Sequence, residues 1–209
     1  MSLRQTGCLG AVLLGALTAT PAAADPIAYA QLDASSTDTG LILVGTLPPV
    51  ATGEPTTLVT GSAVRWRTGE ALNAALVPRW ALGGTDSGLT VGLGIGAAYW
   101  RNRDAAAPDS ESALALRGQI EWQDALPGGR GYALLQASTF RSAGFATVQY
   151  TLNSAPLAFE VSHYAEQGYD VSSLGVRFFF PGTRWALRAG ASHSEGDTRP
   201  FVGIAYNGF

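Results

Sequence analysis

The sequence contains no lysine, and charged residues of all kinds make up only 14 % of its 209 positions. All 13 basic residues are arginine, and with 16 acidic residues the formal net charge is −3. A nucleic-acid-binding protein carries a basic stripe, so this charge balance argues against one. The low charge, the 26 glycines and an aromatic fraction of 10 % are together typical of a weakly charged β protein.

Cysteine is nearly absent as well, because the single cysteine, Cys8, lies in an N-terminal segment with the features of a secretory signal peptide. Arg4 supplies the positive charge, and Leu9 to Leu17 form an uncharged apolar stretch far shorter than a membrane-spanning helix. Ala22-Ala23-Ala24 provides a small-residue cleavage site. After cleavage the chain has no cysteine, which excludes disulfides and thiolate metal sites.

The rest of the chain shows apolar residues at every second position, interrupted by turn residues. The clearest segment runs from Leu89 to Tyr99, where large apolar residues alternate with Thr90, Gly92, Gly94 and Gly96. Alternate side chains of a strand point to opposite faces, so one face of this strand is apolar and the other is small and polar. We expect the glycines to allow close approach of another backbone or of a bulky side chain.

Two architectures accommodate strands with one apolar face. A soluble β-sandwich buries that face against a second sheet, and a transmembrane barrel exposes it to lipid. The export signal and apolar segments of bilayer-spanning length favour the barrel. We therefore predict a signal peptide at residues 1–24 and an all-β, antiparallel transmembrane β-barrel at residues 25–209. The segments number about twelve; ten remains possible, because residues 27–47 are the weakest strands.

Aromatic residues recur near the predicted strand ends, as in the interfacial girdles of membrane barrels. The chain ends on Phe209, and we expect this terminal aromatic residue to contact the barrel assembly machinery. Successive connections of such a barrel alternate between its two sides. If Phe209 lies in the periplasm, the Arg103–Glu111 connection lies outside the cell and the Pro48–Pro55 connection lies in the periplasm. The girdle is predicted from Trp66, Tyr99, Trp100, Trp122, Tyr150, Tyr164, Trp185 and Tyr206.

Charged residues on the polar strand faces predict a network inside the barrel. Such a network either lines a path for a polar or anionic solute or pairs internally to fill a small lumen, and arginine suits both because its planar fork binds carboxylates bidentately. The predicted inward residues are Arg65, Arg67, Arg79, Arg117, Glu121, Glu160, Arg177 and Arg188.

The two histidines, His163 and His193, lie on the apolar phase of their strands, near the predicted external ends. His163-Tyr164 loosely resembles a segment of lipid A deacylases, but Ala165 occupies the position of that family's nucleophilic serine. From the phase we expect no serine or acid within reach of either histidine. We therefore predict no enzymatic activity, no catalytic residues, no metal and no cofactor.

Three short segments resemble the small outer-membrane barrels of the bacterial cellulose biosynthesis family called BcsS. These are Leu32-Asp33-Ala34-Ser35-Ser36, the connection from Gly45-Thr46-Leu47-Pro48 into residues 61–67, and Gly168-Tyr169-Asp170 followed by Leu174-Gly175-Val176-Arg177-Phe178. The resemblance implies an accessory role in making, exporting or anchoring a β-glucan. In that role the faces of Tyr99 and Trp100 would stack on sugar rings, unless they serve only as interfacial aromatics.

Three functional hypotheses therefore remain. An exopolysaccharide accessory in the outer membrane predicts a filled or narrow lumen, a small porin-like channel predicts an open one, and an outer-leaflet lipid-modifying enzyme predicts a nucleophile beside a histidine. The expected partners are outer-membrane lipid, lipopolysaccharide and components of cellulose secretion, with no nucleic acid.

Overall fold

The computed structural model describes residues 28–47, 55–82, 88–104 and 109–207, so the predicted signal peptide and Phe209 lie outside the described residues. These segments form twelve antiparallel strands and one short 3₁₀ turn, Phe140–Ser142. No helix in these segments has the length and apolar character needed to span a membrane. The strands are β1 (Ala28–Ser35), β2 (Thr39–Leu47), β3 (Thr56–Trp66), β4 (Gly69–Ala81), β5 (Leu89–Asn102), β6 (Asp109–Leu126), β7 (Gly129–Ser138), β8 (Gly144–Leu152), β9 (Leu157–Glu166), β10 (Tyr169–Phe179), β11 (Trp185–Ser194) and β12 (Asp197–Asn207).

Every strand pairs with its two neighbours in sequence, and β1 closes the sheet by pairing with both β2 and β12. Leu32, for example, lies opposite Leu41 on one side and Ile204 on the other. The predicted closed barrel is confirmed with twelve strands rather than ten, because the weak segments of residues 27–47 supply β1 and β2. Closure leaves no unpaired sheet edge, which satisfies the backbone groups within the sheet.

The outer wall of the barrel is apolar and uncovered. On β5, Leu93 and Ile95 are each 63 % exposed, while Ala98 on the opposite face is 6 % exposed. Leu114 and Val202, on β6 and β12, are likewise exposed on the outside. A soluble sandwich would bury this face against a second sheet, so the single closed sheet excludes that alternative. An apolar exterior with a polar interior fits a barrel that stands in lipid.

The two ends of the barrel differ in their connections. Strand β1 begins and strand β12 ends at the same end of the barrel, which we call the terminal end. We call the opposite end the distal end. The turns at 36–38, 67–68, 167–168 and 195–196 and the longer connections after β5 and β7 lie at the distal end. The connection that follows Arg103 is thus at the end opposite to the chain termini of the barrel, as predicted. Among the distal turns, Glu195 and Gly196 both adopt positive φ in a tight turn.

The aromatic residues predicted to form the girdle do not all point outward. Trp122, Tyr150, Trp185 and Tyr206 point outward at the terminal end, where Trp185 packs edge-on against Tyr206 at 5.2 Å between ring centroids. Tyr99 points outward at the distal end. The prediction is wrong for Trp66, Trp100 and Tyr164, because their pleat position places them on the inner face.

Candidate functional site

The interior holds a cluster of four charged residues contributed by strands β1, β9, β10 and β11, which we call the central cluster: Asp33, Glu160, Arg177 and Arg188. The register places Arg177 directly opposite Arg188. Glu160 accepts hydrogen bonds from both guanidinium groups, and Arg188 also donates to Asp33. The carboxylate of Glu160 thus separates two like charges that would otherwise face each other across neighbouring strands.

Aromatic rings and polar groups surround the central cluster. Arg177 donates to the hydroxyl of Tyr29 at 2.9 Å, and its guanidinium carbon lies 5.5 Å from the centroid of that ring. Arg188 lies 5.3 Å from the centroid of Phe201. Glu160, Arg177 and Arg188 are each less than 9 % exposed. Several hydrogen bonds and cation–π contacts therefore compensate the burial of these charges.

A second ion pair joins Arg79 on β4 to Glu121 on β6, with Nη1 and Oε2 2.7 Å apart. Both side chains are 10 % exposed. Next to them, Gln136 of β7 donates to Gln119 of β6 at 3.1 Å, and Gln119 is 4 % exposed. This pair and the central cluster are separate groups, so the predicted residues do not form one continuous network.

Arg117, on β6, also points inward but contacts neutral groups. It donates to the Thr60 hydroxyl at 3.2 Å and to the Asn73 side-chain oxygen at 3.3 Å. Asn73 lies on β4 and Thr60 on β3, so the Arg117 side chain reaches across the inner face of β5 to both of them. Arg117 is therefore a lumenal cation that is hydrogen-bonded without an ion pair to any described residue.

Two residues predicted to point inward, Arg65 and Arg67, do not. Arg65 pairs in register with Glu70, which shares the face of outward-pointing Leu72. Arg67 follows β3 in the exposed turn before β4. The prediction is wrong because the inner face of β3 carries the even-numbered residues, among them Leu58 and Thr60, and odd-numbered arginines consequently face outward.

The connection between β7 and β8 folds into the distal mouth. Phe140 is 8 % exposed and packs against Ala98, Ala115 and Trp100 on the inner wall. The guanidinium carbon of Arg141 lies 4.1 Å from the centroid of Trp100, and its Nε lies 3.5 Å from a carboxylate oxygen of Glu166. This segment narrows the mouth with an aromatic residue and a stacked cation.

Tyr99 and Trp100, predicted together as a saccharide contact, lie on opposite faces of β5. Tyr99 is paired in register with outward-facing Leu72, whereas Trp100 is paired with inward-facing Ala71 and stands 6.3 Å from Trp66 between ring centroids. Consecutive residues of a strand point to opposite sides, so these two rings cannot stack on one sugar. The ring of Trp100 is already covered by Arg141.

The histidines face outward near the distal end, as the phase indicated, but the expectation that no serine lies within reach is wrong. His163 Nδ1 is 2.9 Å from the hydroxyl of Ser172, its register partner on β10. His193 Nδ1 is 2.8 Å from the hydroxyl of Thr198. A cross-strand partner on β10 was not visible from the local sequence around His163, because it depends on register.

Strand β1 contributes side chains to the interior that were not predicted from the sequence. Tyr29, Gln31 and Asp33 alternate on its inner face, and Tyr29 and Asp33 contact the arginines of the central cluster. The two-residue alternation of Tyr, Gln, Asp and Ser at positions 29–35 was the available signal. It is weak because the strand is short and its outer face is interrupted by alanines.

The inner side chains in the middle of the barrel leave little room for solvent. Val77 is fully buried, Leu58 is 5 % exposed and Thr60 is 8 % exposed, at the same level as the buried ionic residues. Side chains lining a wide water-filled pore would remain exposed, so the burial of these residues indicates a narrow, largely filled lumen in this layer. Twelve strands lie between the filled eight-stranded and open sixteen-stranded barrels, and here arginines and aromatic rings fill the interior. Within the described segments, no three His, Cys, Asp or Glu side chains are grouped to hold a metal ion.

Solved structures share the architecture at very low sequence identity. A structure described as "Unveiling the Mechanism Behind the in-meso Crystallization of Membrane Proteins" has a TM-score of 0.51 and 11 % identity, covering 87 % of this chain and 82 % of its own. The KdgM porin matches with a TM-score of 0.49 and 9 % identity, over 86 % of this chain and 98 % of its own. The Acinetobacter baumannii outer membrane protein Omp33 matches with a TM-score of 0.49 and 10 % identity, over 87 % and 98 %. No protein-family model and no curated protein sequence matches the chain. At these identities the likeness concerns the fold alone.

Proposed function

We propose that the chain is a non-enzymatic barrel of the bacterial outer membrane whose interior is closed. The observation that carries this proposal is the buried layer formed by the central cluster and the Arg79–Glu121 pair, in which ionic side chains are 10 % exposed or less, apart from Asp33. The apolar outer wall supports placement in lipid, and the signal peptide predicted from the sequence supports the outer membrane.

Within that membrane, we propose an accessory role in the synthesis, export or anchoring of an exopolysaccharide such as cellulose. The resemblance of three short segments to the BcsS family supports this role, and so does a filled lumen. A structural accessory has no need of an open pore. Phe209 would contact the barrel assembly machinery during insertion.

Reconstitution tests the closed interior. The refolded chain in planar lipid bilayers should give no stable conductance, while its gel mobility should shift on boiling, as expected of a folded barrel. A porin-like channel is the competing function, favoured by the glycine- and alanine-containing inner faces of β5. Stable conductance of the unmodified protein would establish the channel and exclude the closed scaffold.

Gene deletion tests the accessory role. The deletion strain should lose surface cellulose, measured by dye binding, and a copy of the gene should restore it. Normal surface cellulose in the deletion strain would contradict the role while leaving the barrel untouched.

The outer-leaflet enzyme is a third candidate, and the His163–Ser172 contact is the observation in its favour. The Nδ1 atom of His163 lies within hydrogen-bond distance of the Ser172 hydroxyl, as in a base–nucleophile pair. Release of fatty acid from vesicle lipids by the wild-type protein, abolished in Ser172→Ala, would overturn the non-enzymatic proposal. We expect no release from either protein.

A further inference from the structure

Four arginines lie outside the barrel at its distal end, on neighbouring strands and turns. Arg65 on β3 and Arg101 on β5 flank Glu70 of β4 in one cross-strand row. Arg67 follows β3 in its turn, and Arg103 follows β5. The backbone of Arg103 is anchored by its hydrogen bond to Thr68 O at 2.5 Å. We call Arg65, Arg67, Arg101 and Arg103 the rim arginines.

The described residues leave most of this positive charge without an acidic partner. Glu70 pairs with Arg103 at 2.5 Å, and the Arg103 side chain remains 43 % exposed. Arg65, Arg67 and Arg101 form no ion pair with any residue of the described segments. These three positions are exposed, so the surface offers cations to an external anion.

An apolar groove of about 480 Å³ opens on the outer wall directly below this row, toward the middle of the barrel. Leu41, Leu72 and Tyr99 stand beside it, and the register places them in the row next to Arg65 and Arg101. Its floor is formed by small residues that point outward between these larger ones: Gly61, Ala63, Ala74 and Ala97. A depression of this kind accommodates a hydrocarbon chain.

A polar cleft of about 260 Å³ adjoins the rim arginines on the β5–β6 side. Arg101, Asn102, Asp109 and Ser110 line it, providing both hydrogen-bond donors and acceptors. A mixed donor and acceptor set suits sugar hydroxyls, which themselves donate and accept. Cations, sugar-compatible groups and an apolar groove therefore lie together on one part of the wall.

We propose that the outer wall formed by β2–β6 binds a phosphorylated glycolipid of the outer leaflet. Its phosphates contact the rim arginines, its sugar occupies the polar cleft and one acyl chain lies in the groove. Neighbouring strands lie about 4.8 Å apart, so Arg65 and Arg101, two strands apart, are separated by about 10 Å. That separation suits a headgroup with two phosphates better than a phospholipid with one. The site rests on the proposed function, because the distal end must face the outer leaflet.

Lipid binding to the full-length folded protein in phosphatidylcholine nanodiscs tests the site. The probes are bisphosphorylated lipid A, its dephosphorylated form and phosphatidylglycerol, each quantified on the protein by native mass spectrometry. Arg65→Gln/Arg101→Gln should weaken lipid A binding about tenfold or more, since two charge-assisted contacts are lost. Ala74→Leu/Ala97→Leu fills the groove from exposed positions and should weaken binding independently.

The matched control is Arg130→Gln/Arg184→Gln, which removes two arginines from the terminal end and should leave lipid A binding unchanged. Unchanged binding in both site variants would overturn the proposal. Equal affinity for phosphatidylglycerol and lipid A would overturn its commitment to a glycolipid. The heat-dependent mobility shift is measured on every protein, so loss of the barrel, which would refute the proposed function, is distinguished from loss of the site alone.

Discussion

Arg79 on β4 donates to Glu121 on β6 at 2.7 Å, although β5 lies between the two strands. The β5 residue opposite Arg79 is Gly92, where an added Cβ would lie 2.8 Å from Val77 Cγ1 and 2.9 Å from Gln119 Cγ. The missing side chain leaves room for Val77 and Gln119, which pack against the backbone of β5 beside the ion pair. The ion pair ties three consecutive strands together inside the barrel.

The substitution Glu121→Gln should destabilise the barrel by about 3 kcal/mol, because removing one partner leaves a buried and uncompensated guanidinium. The measurement is the urea midpoint of tryptophan fluorescence for the protein in lipid micelles. The double variant Arg79→Gln/Glu121→Gln removes both charges and should recover part of the loss. A midpoint for Glu121→Gln equal to that of the wild type would show that the pair contributes nothing to stability.

Glu160→Gln should be more damaging than Glu121→Gln in the same assay. Glu160 is shared by Arg177 and Arg188, which lie directly opposite each other. Neutralising it leaves two buried like charges in contact, which adds repulsion to the loss of an ion pair. Adding Arg177→Gln to this variant should restore stability toward the wild type by removing one of those charges. If the second substitution instead lowers stability further, repulsion is not the cause.

The architecture of this chain follows from a single property of the sequence, the two-residue alternation. On β5 this alternation correctly separates outward Leu93 and Ile95 from inward Gly92 and Gly94. Strand order needed no further information, because consecutive antiparallel strands pair with one another. The closing contact of β1 with β12 was less evident, because it requires residues 27–47 to form strands of the barrel. Their alternation is weak, since Ile42 and Val44 make β2 apolar on both faces.

The interior was harder to predict because it depends on pleat phase and on register. A phase error of one residue on β3 was enough to place Arg65 inside rather than outside the barrel. The contact between His163 and Ser172 depends on which residues of β9 and β10 lie opposite each other. The segment around Phe140 gave no periodic signal, because Arg141 and Ser142 adopt positive φ in an irregular connection.

Conductance should appear only when the buried ionic layer is removed. The triple variant Glu160→Ala/Arg177→Ala/Arg188→Ala replaces the long side chains of the central cluster by methyl groups and should open a path in planar bilayers. Phe140→Ala widens the distal mouth alone and should stay silent, because the ionic layer below it remains closed. A conducting Phe140→Ala variant would place the barrier at the mouth instead.

Gly94→Val should prevent formation of the barrel. A Cβ at Gly94 would lie 2.7 Å from Val77 Cα and would also contact the carbonyl oxygen of Leu76, so the clash is with the backbone of β4 rather than with a movable side chain. Forcing this contact should cost about 3 kcal/mol or more. The control is Gly118→Val on the outer face of β6, where an added Cβ has nothing within 4 Å and a β-branched residue suits a strand. The fraction of protein in the heat-shifted band measures folding of both variants: Gly94→Val should lose this band and Gly118→Val should retain it. Equal folding would mean that β4 and β5 can separate without loss of the closed sheet.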